Sequence, residues 1–573
     1  MKRSRSPLAI RAAALAGGGL LASALPAAAA MPPYPAVTAA RLAKAESDPG
    51  WLMFRRDYSG QAYAPFTAIN PANVAKLTTV WSYNDGLKPG YEAAPIVNGR
   101  YMFVTTPMDH LRAFDALTGK LLWKYDRVFP PTATKTVCCD VVNRGVAVAG
   151  SLVYMATLDN HVLAFQATTG KIVWDTTLKP PGVGYALTVA PLVVDGKVIV
   201  GESGGEYGAR GFIAALDAKT GAISWKRFTI PAPNQPGGDT WPKGAYKHGG
   251  GGAWLTGTYD PATKTLFWGV GNPGPWLATM RPGRNLYTDS VLALDPATGA
   301  LKWYYQFTPH DTWDYDGTNE SILADVTWKG HAYKAIVHAD RNGYFYAIDR
   351  TTGKLIYARP FVHSLSIKSV TAAAGTLTND AVRPTLTKGI FTCPSFLGGK
   401  NWWPMSVDPA TGMAYVPTLH ACMTMKGAPV SYLRGLPFLG ESFQVVPQPG
   451  AKGWGSLQAI DLSTGKRVWQ YQTKAPWNSG VLTTASGLVF SGRADGHLMA
   501  FDAKTGKVLW ESPQLASGIV SQPSTFEIAG KQYVALWAGW GGASPIWGGV
   551  MANDPSIKNI PRGGHLYVFG LGK

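Results

Sequence analysis

The sequence predicts an all-β chain built as an eight-bladed β-propeller, and three observations carry that reading. A short motif occurs seven times: Ala-Phe-Asp-Ala-Leu-Thr-Gly-Lys-Leu-Leu-Trp at 113–123, with close copies at 164–174, 215–225, 293–303, 347–357, 459–469 and 500–510. Each copy reads as an apolar strand, a polar Thr-Gly turn and a second strand ending on an aromatic plug: Trp123, Trp174, Trp225, Trp303, Tyr357, Trp469 or Trp510. The two chain ends hold complementary halves of an eighth unit. Residues 77–81 end on Trp81 with no strand and turn before it, and 565–570 form a strand with no turn and plug after it. Pairing the first strand with the last closes a ring, which cannot be divided without exposing sheet faces.

Taken in order, the chain opens with Lys2, Arg3 and Arg5, then an Ala/Leu/Gly-rich run over 12–25, then Pro26 and four alanines. That is the pattern of a secretory signal over 1–30. Residues 31–573 are expected to form a single exported, periplasmic domain, since no later stretch is long and apolar enough to span a bilayer. The formal charge is +18, and Lys2, Arg3, Arg5 and Arg11 leave with the signal, so the mature chain keeps about +14. This reads either as solubility or as steering of an acidic partner. No basic run of five residues occurs, and nucleic acid is not expected outside the cytoplasm.

Four cysteines in an exported chain suggest disulfides. Cys138 and Cys139 are adjacent; Cys393 and Cys422 are the others. There is no Cys-x-x-Cys-His haem motif and no Cys/His set with zinc spacing. A Gly-x-Gly-x-x-Gly at 269–274 follows a strand-like run, but Pro273, Pro275 and Pro282 forbid the helix that a dinucleotide site needs. The plug intervals 225–303 and 357–469 are long, so insertions are expected there, in loops at one mouth of the ring.

Just after the first long interval, 308–317 reads Thr-Pro-His-Asp-Thr-Trp-Asp-Tyr-Asp-Gly. Carboxylates are scarce, 35 against 53 Lys and Arg, yet Asp311, Asp314 and Asp316 cluster here with Glu320 beyond. In an extended segment, Asp314 and Asp316 would project to one side. Two such carboxylates repel unless a cation or a proton lies between them. The stretch is therefore either a site for a hard, oxygen-liganded metal ion or a polar turn with solvated acids.

With 136–145 (Thr-Val-Cys-Cys-Asp-Val-Val-Asn-Arg-Gly), 201–211 (Gly-Glu-Ser-Gly-Gly-Glu-Tyr-Gly-Ala-Arg-Gly), 249–254 (four glycines, Ala, Trp) and 271–276 (Gly-Asn-Pro-Gly-Pro-Trp), this stretch completes five motifs in order. On them the chain resembles the quinoprotein alcohol dehydrogenases, over nearly its whole mature length. The resemblance implies pyrroloquinoline quinone, a flat tricyclic orthoquinone with three carboxylates. It implies Cys138 and Cys139, bonded to each other, as a rigid lid on one face, and Trp254 stacked on the other. We expect Cys393 bonded to Cys422. Arg144 and Arg341 match cationic partners of the cofactor. Glu92, Thr188, Ser203, Gly204, Gly205, Glu206 and Asn401 match positions that bind it. The family often carries Thr two residues before the stacking Trp, where this chain has Gly252.

The same matching implies Glu206, Asn272 and Asp314 as metal ligands, with Asp316 as the informative addition. Calcium-dependent members usually carry a small neutral residue there, and the branch with Asp uses a lanthanide ion. Asp314 is matched to the general base and Arg341 to a catalytic cation. The implied activity is oxidation of a small primary alcohol to the aldehyde, with a soluble cytochrome c as electron acceptor; a homodimer is allowed. The alternatives are a calcium-dependent or polyol- or sugar-directed relative and a non-enzymatic propeller scaffold. The aromatic stretch 537–547 and Trp477 read either as walls of the substrate entrance or as core plugs.

Overall fold

The Thr-Gly turns explain how the repeats assemble. In the computed structural model, which describes residues 31–130 and 132–572, each turn glycine has a positive φ, as at Gly119 (73°), Gly221 (75°) and Gly506 (72°). Each also lies against the plug of the preceding unit. A Cβ at Gly119 would sit 2.7 Å from the Trp81 ring, and one at Gly221 2.7 Å from that of Trp174. The plug's polar edge is satisfied at the same turn. The indole N–H donates to a backbone carbonyl, Trp81 to Ala116 (3.0 Å), Trp123 to Ala167 (2.9 Å) and Trp469 to Ala503 (3.0 Å), and the Tyr357 hydroxyl does so to Leu462 (2.8 Å). One glycine thus supplies the turn and also the room for the neighbouring aromatic.

Among the described residues, eight sheets have four or five strands each. Seven carry one motif copy apiece, as where His110–Asp115 pairs antiparallel with Leu121–Tyr125. The eighth joins the chain ends: Leu77–Asn84 pairs antiparallel with His565–Leu571, Trp81 opposite Val568, and Lys531–Ala538 and Ser524–Ile528 complete it. Inner strands such as Tyr101–Thr106 are buried at every position, because neighbouring layers cover both faces. Outer strands such as Leu77–Asn84 are largely solvated. The core is layered accordingly: one cluster holds Val337, Ala347 and Tyr357 against Val407, Val416 and Ile460.

From Tyr34 onward the chain forms one compact unit. The expected secretory signal at 1–30 lies outside the described residues. The interval between Tyr357 and Trp469 holds a hairpin, Ile367–Thr371 with Gly375–Thr378, and a three-stranded sheet of Gly389–Thr392, Ala421–Gly427 and Glu441–Pro447. The Cys393–Cys422 disulfide braces that sheet. No helix of the described residues is long and apolar enough to cross a membrane.

Candidate active site

One open cavity, of about 120 Å³, gathers most of the residues singled out above: Glu92, Cys138, Cys139, Arg144, Thr188, Ser203, Glu206, Trp254, Asp314, Asp316, Arg341 and Asn401 all line it. Gly204 and Gly205 lie in the chain between the lining residues Ser203 and Glu206, and Asn272 contacts the lining residue Asp316. Gly204 has φ 122°, and a Cβ there would overlap the Gly184 carbonyl. It leads into the 3-10 turn Gly205–Tyr207, which carries Glu206. Asn272 donates its backbone N–H to Asp316 Oδ1 at 2.8 Å. The departure at Gly252 goes with crowding, since a Cβ would lie 3.2 Å from the Glu202 carbonyl and 3.4 Å from Trp254 Cδ1.

Cys138 and Cys139 are bonded to each other. Asp140 ties this segment to the rest of the wall, its Oδ2 accepting from the N–H of Gly90 (2.9 Å) and Gly542 (3.1 Å). Arg144 Nη1 donates to Thr188 Oγ1 at 2.7 Å, and Nη2 lies 2.8 Å from Glu92 Oε2. Its guanidinium carbon sits 4.8 Å from the Trp254 ring centre and 4.9 Å from that of Trp402. Burial pushes the Glu92 carboxyl up to about 7, against the pull of Arg144.

The acidic stretch is not extended, contrary to the expectation from its spacing. Asp311 accepts the N–H of Trp313 (3.0 Å) and of Tyr315 (3.2 Å), so the chain wraps around its carboxylate. His310, Asp314 and Asp316 take left-handed φ values of 53°, 60° and 55°. Aspartate accepts that conformation more readily than most residues. Asp314 and Asp316 converge nonetheless, on Arg341: Nη1 lies 3.4 Å from Asp314 Oδ2 and Nη2 2.7 Å from Asp316 Oδ2. Burial drives the Asp314 carboxyl well above the usual range; Arg341 opposes this, while Asp316 and Glu206 add to it. Asp316 is raised by burial too, with Arg341, the Asn272 N–H and the Trp254 side chain holding it down. Glu206 is raised by burial, with Asp316 contributing. A bound cation would reverse all three shifts.

Among the described residues, Arg144 Nε, Arg341 Nε, Asn272 Nδ2 and Asp314 Oδ1 are buried and have no hydrogen-bond partner. Buried polar atoms without partners are costly, and these four belong to residues at one cavity. The guanidinium groups suit an anionic, planar ligand. The carboxylates suit a hard cation, but no group of three acidic, His or Cys side chains among the described residues is close enough to hold a metal alone. Oxygen and nitrogen atoms of a bound cofactor would have to complete the shell. The donor set therefore fits a polyanionic quinone together with a hard cation.

Several wall residues carry no repeat or motif signal. The long insertion supplies Phe396, Leu439 and Phe443, and Trp547 adds the rim, 37% exposed. Trp276 and Phe443 lie 5.3 Å apart, and Phe396 and Phe443 4.8 Å, forming a continuous apolar wall. Of the four tryptophans that read either as entrance walls or as core plugs, Trp477, Trp537 and Trp540 are buried core residues, and Trp547 lines the cavity. A tryptophan's place on the wall or in the core depends on which layer covers it, which composition does not reveal.

Residues 51–362 and 450–534 match the family model of the PQQ glucose/ethanol/alcohol dehydrogenase β-propeller domain. The chain is 41% identical over 539 residues to quinoprotein alcohol dehydrogenase PedH of Pseudomonas putida, covering 90% of each. It is 38% identical over 583 residues to the lanthanide-dependent methanol dehydrogenase of Methylacidiphilum fumariolicum, covering 92% of this chain and 94% of that one. Among solved structures, a europium-containing methanol dehydrogenase superposes with a TM-score of 0.90 at 36% identity, over 93% of this chain and all of the other.

Proposed function

The chain belongs to the PQQ-dependent alcohol dehydrogenase family, and from that premise we propose that it oxidises small primary alcohols to aldehydes in the periplasm, using a lanthanide ion in preference to calcium and passing electrons to a soluble cytochrome c. We read the eight sheets as blades of one ring, closed where Leu77–Asn84 meets His565–Leu571. The observation that carries the site assignment is the set of buried, unpartnered atoms on Arg144, Arg341, Asn272 and Asp314 around a cavity lined by Trp254 and the Cys138–Cys139 disulfide.

Trp254 and the disulfide would hold the cofactor's two faces, and Arg144 and Arg341 its anionic rim. Bound pyrroloquinoline quinone supplies the two-electron acceptor for hydride from the alcohol carbon, with the ion as Lewis acid. Glu206, Asn272, Asp314 and Asp316 would hold that ion through hard oxygen donors. Asp314 Oδ1 takes the hydroxyl proton. Its other oxygen faces Arg341, which fixes the carboxylate's orientation. The apolar wall of Phe396, Trp276 and Phe443 excludes water from the reacting carbon.

Asp316 favours the lanthanide over the calcium reading, because it brings a third carboxylate to the cavity that Glu206 and Asp314 also line. Purified holoprotein should contain one lanthanide and one pyrroloquinoline quinone per chain when grown with both metals. Stoichiometric calcium with no lanthanide would return the calcium reading to the lead, and absence of the quinone would sink the site assignment.

A further inference from the structure

Behind the cavity lies a buried ion pair whose two residues are not among those that line it, although one of them reaches the backbone of the lining residue Asn401. Lys400 is 0% and Glu320 2% exposed. Lys400 Nζ donates to Glu320 Oε2 at 2.8 Å and to the carbonyl of Asn401 at 2.9 Å. Glu320 Oε1 accepts the backbone N–H of Met405 at 2.7 Å. The neighbouring Asn319 donates through Nδ2 to the carbonyls of Ala339 (2.9 Å) and Lys400 (3.2 Å).

Three segments meet at this knot, and each carries part of the site. The first follows Asp314 and Asp316, the second runs from Ala339 into Arg341, and the third holds Asn401 and Trp402. Asn401 is fixed from its other side as well: Nδ2 donates to the Leu397 carbonyl (2.9 Å), and Oδ1 accepts from Trp402 N–H (2.8 Å) and Arg341 Nη2 (3.4 Å). Stability does not account for the pair. The desolvation of two buried charges offsets most of their attraction, and apolar residues of the same volume often serve stability equally well or better. Apolar residues cannot, however, donate to the Asn401 carbonyl and accept the Met405 N–H, the contacts by which the pair ties the Glu320 segment to residues 400–405.

We propose that Lys400 and Glu320 are positioning residues, which set where Asn401, and through it Arg341, stand relative to Asp314 and Asp316. This rests on the quinoprotein reading of the site. The pair acts at a distance from substrate, through backbone groups, and its removal displaces the segments without removing any cavity-lining group.

The test compares wild type, Glu320→Gln and the double variant Lys400→Met/Glu320→Leu, each as metal-loaded apoprotein titrated with pyrroloquinoline quinone and followed by tryptophan fluorescence. Melting temperature and ethanol turnover are measured on the same samples. The double variant should melt near the wild-type temperature, bind the quinone about tenfold or more weakly and lose about a hundredfold in kcat, with KM for ethanol changed less. Glu320→Gln should also weaken quinone binding and lower kcat, and it should melt below wild type because it leaves the buried Lys400 cation without its partner. Wild-type quinone affinity and kcat in the double variant would overturn the proposal. If the double variant does not fold, wild-type quinone affinity and kcat in Glu320→Gln would overturn it, and weakened quinone binding by Glu320→Gln at a temperature where that variant is folded would uphold it. A wild-type protein that does not bind the quinone would instead refute the reading of the site itself.

Discussion

At the scale of single residues, Arg341 and Arg144 show what the site demands of a cation: each pairs with a buried carboxylate and keeps a buried Nε without a partner among the described residues. Both arginines could be found by matching motifs; that Glu92 is the partner of Arg144 could not, since 52 residues separate them and neither position signals the other. Glu92 also gives a clean titration. Burial raises its carboxyl from 4.5 to about 7. Between those values the unfolded chain has released a proton that the folded chain keeps, so stability falls as pH rises through the window and the loss is complete above it. Glu92→Gln cannot ionise and removes this loss. The melting temperature of the apo variant, relative to wild type, should therefore rise between pH 4.5 and 7.5. A constant difference across that range would mean that Glu92 is ionised throughout.

At the scale of elements, the repeat was legible because one local motif fixes a strand, a turn glycine and a plug together. The acidic stretch was legible in composition but not in conformation. The two-residue spacing suggests a strand, and the carboxylate of Asp311 capturing two downstream N–H groups makes a turn instead. The insertion strands that wall the cavity lie outside the repeat, so nothing periodic marks Phe396 or Phe443. The plug-on-glycine contact can be tested directly. Gly221→Ala keeps a residue at φ 75° and drives its Cβ to 2.7 Å from Trp174. Gly330→Ala, at φ 82° with nothing within 4 Å, carries the backbone strain alone. The strain is about 1–3 kcal/mol, and the clash should add about as much again. Thermal or urea unfolding should thus find Gly221→Ala clearly less stable than Gly330→Ala. Equal losses would mean that the plug relaxes away at no cost.

At the scale of the whole molecule, Leu77–Asn84 and His565–Leu571 meet in one sheet, and the chain carries an excess of positive charge. That excess should speed encounter with an acidic cytochrome c and should be screened by salt. Cytochrome reduction should slow between low and moderate ionic strength while turnover with a neutral artificial acceptor stays nearly constant; equal salt dependence for both would remove charge steering from the electron-exit step. The proposed metal choice rests on charge as well. Coulomb attraction grows with the product of charges, so a trivalent ion gains more than a divalent one from the same added carboxylate, even where Arg341 shares it. The most direct measurement is turnover on ethanol after reconstituting metal-free protein with pyrroloquinoline quinone and either a light lanthanide or calcium, for wild type, Asp314→Asn and Asp316→Ala. Wild type should be active with the lanthanide and poorly active with calcium, Asp314→Asn inactive with either, and Asp316→Ala folded but stripped of most lanthanide-supported turnover; full lanthanide activity in Asp316→Ala would contradict the assignment of Asp316 to the metal.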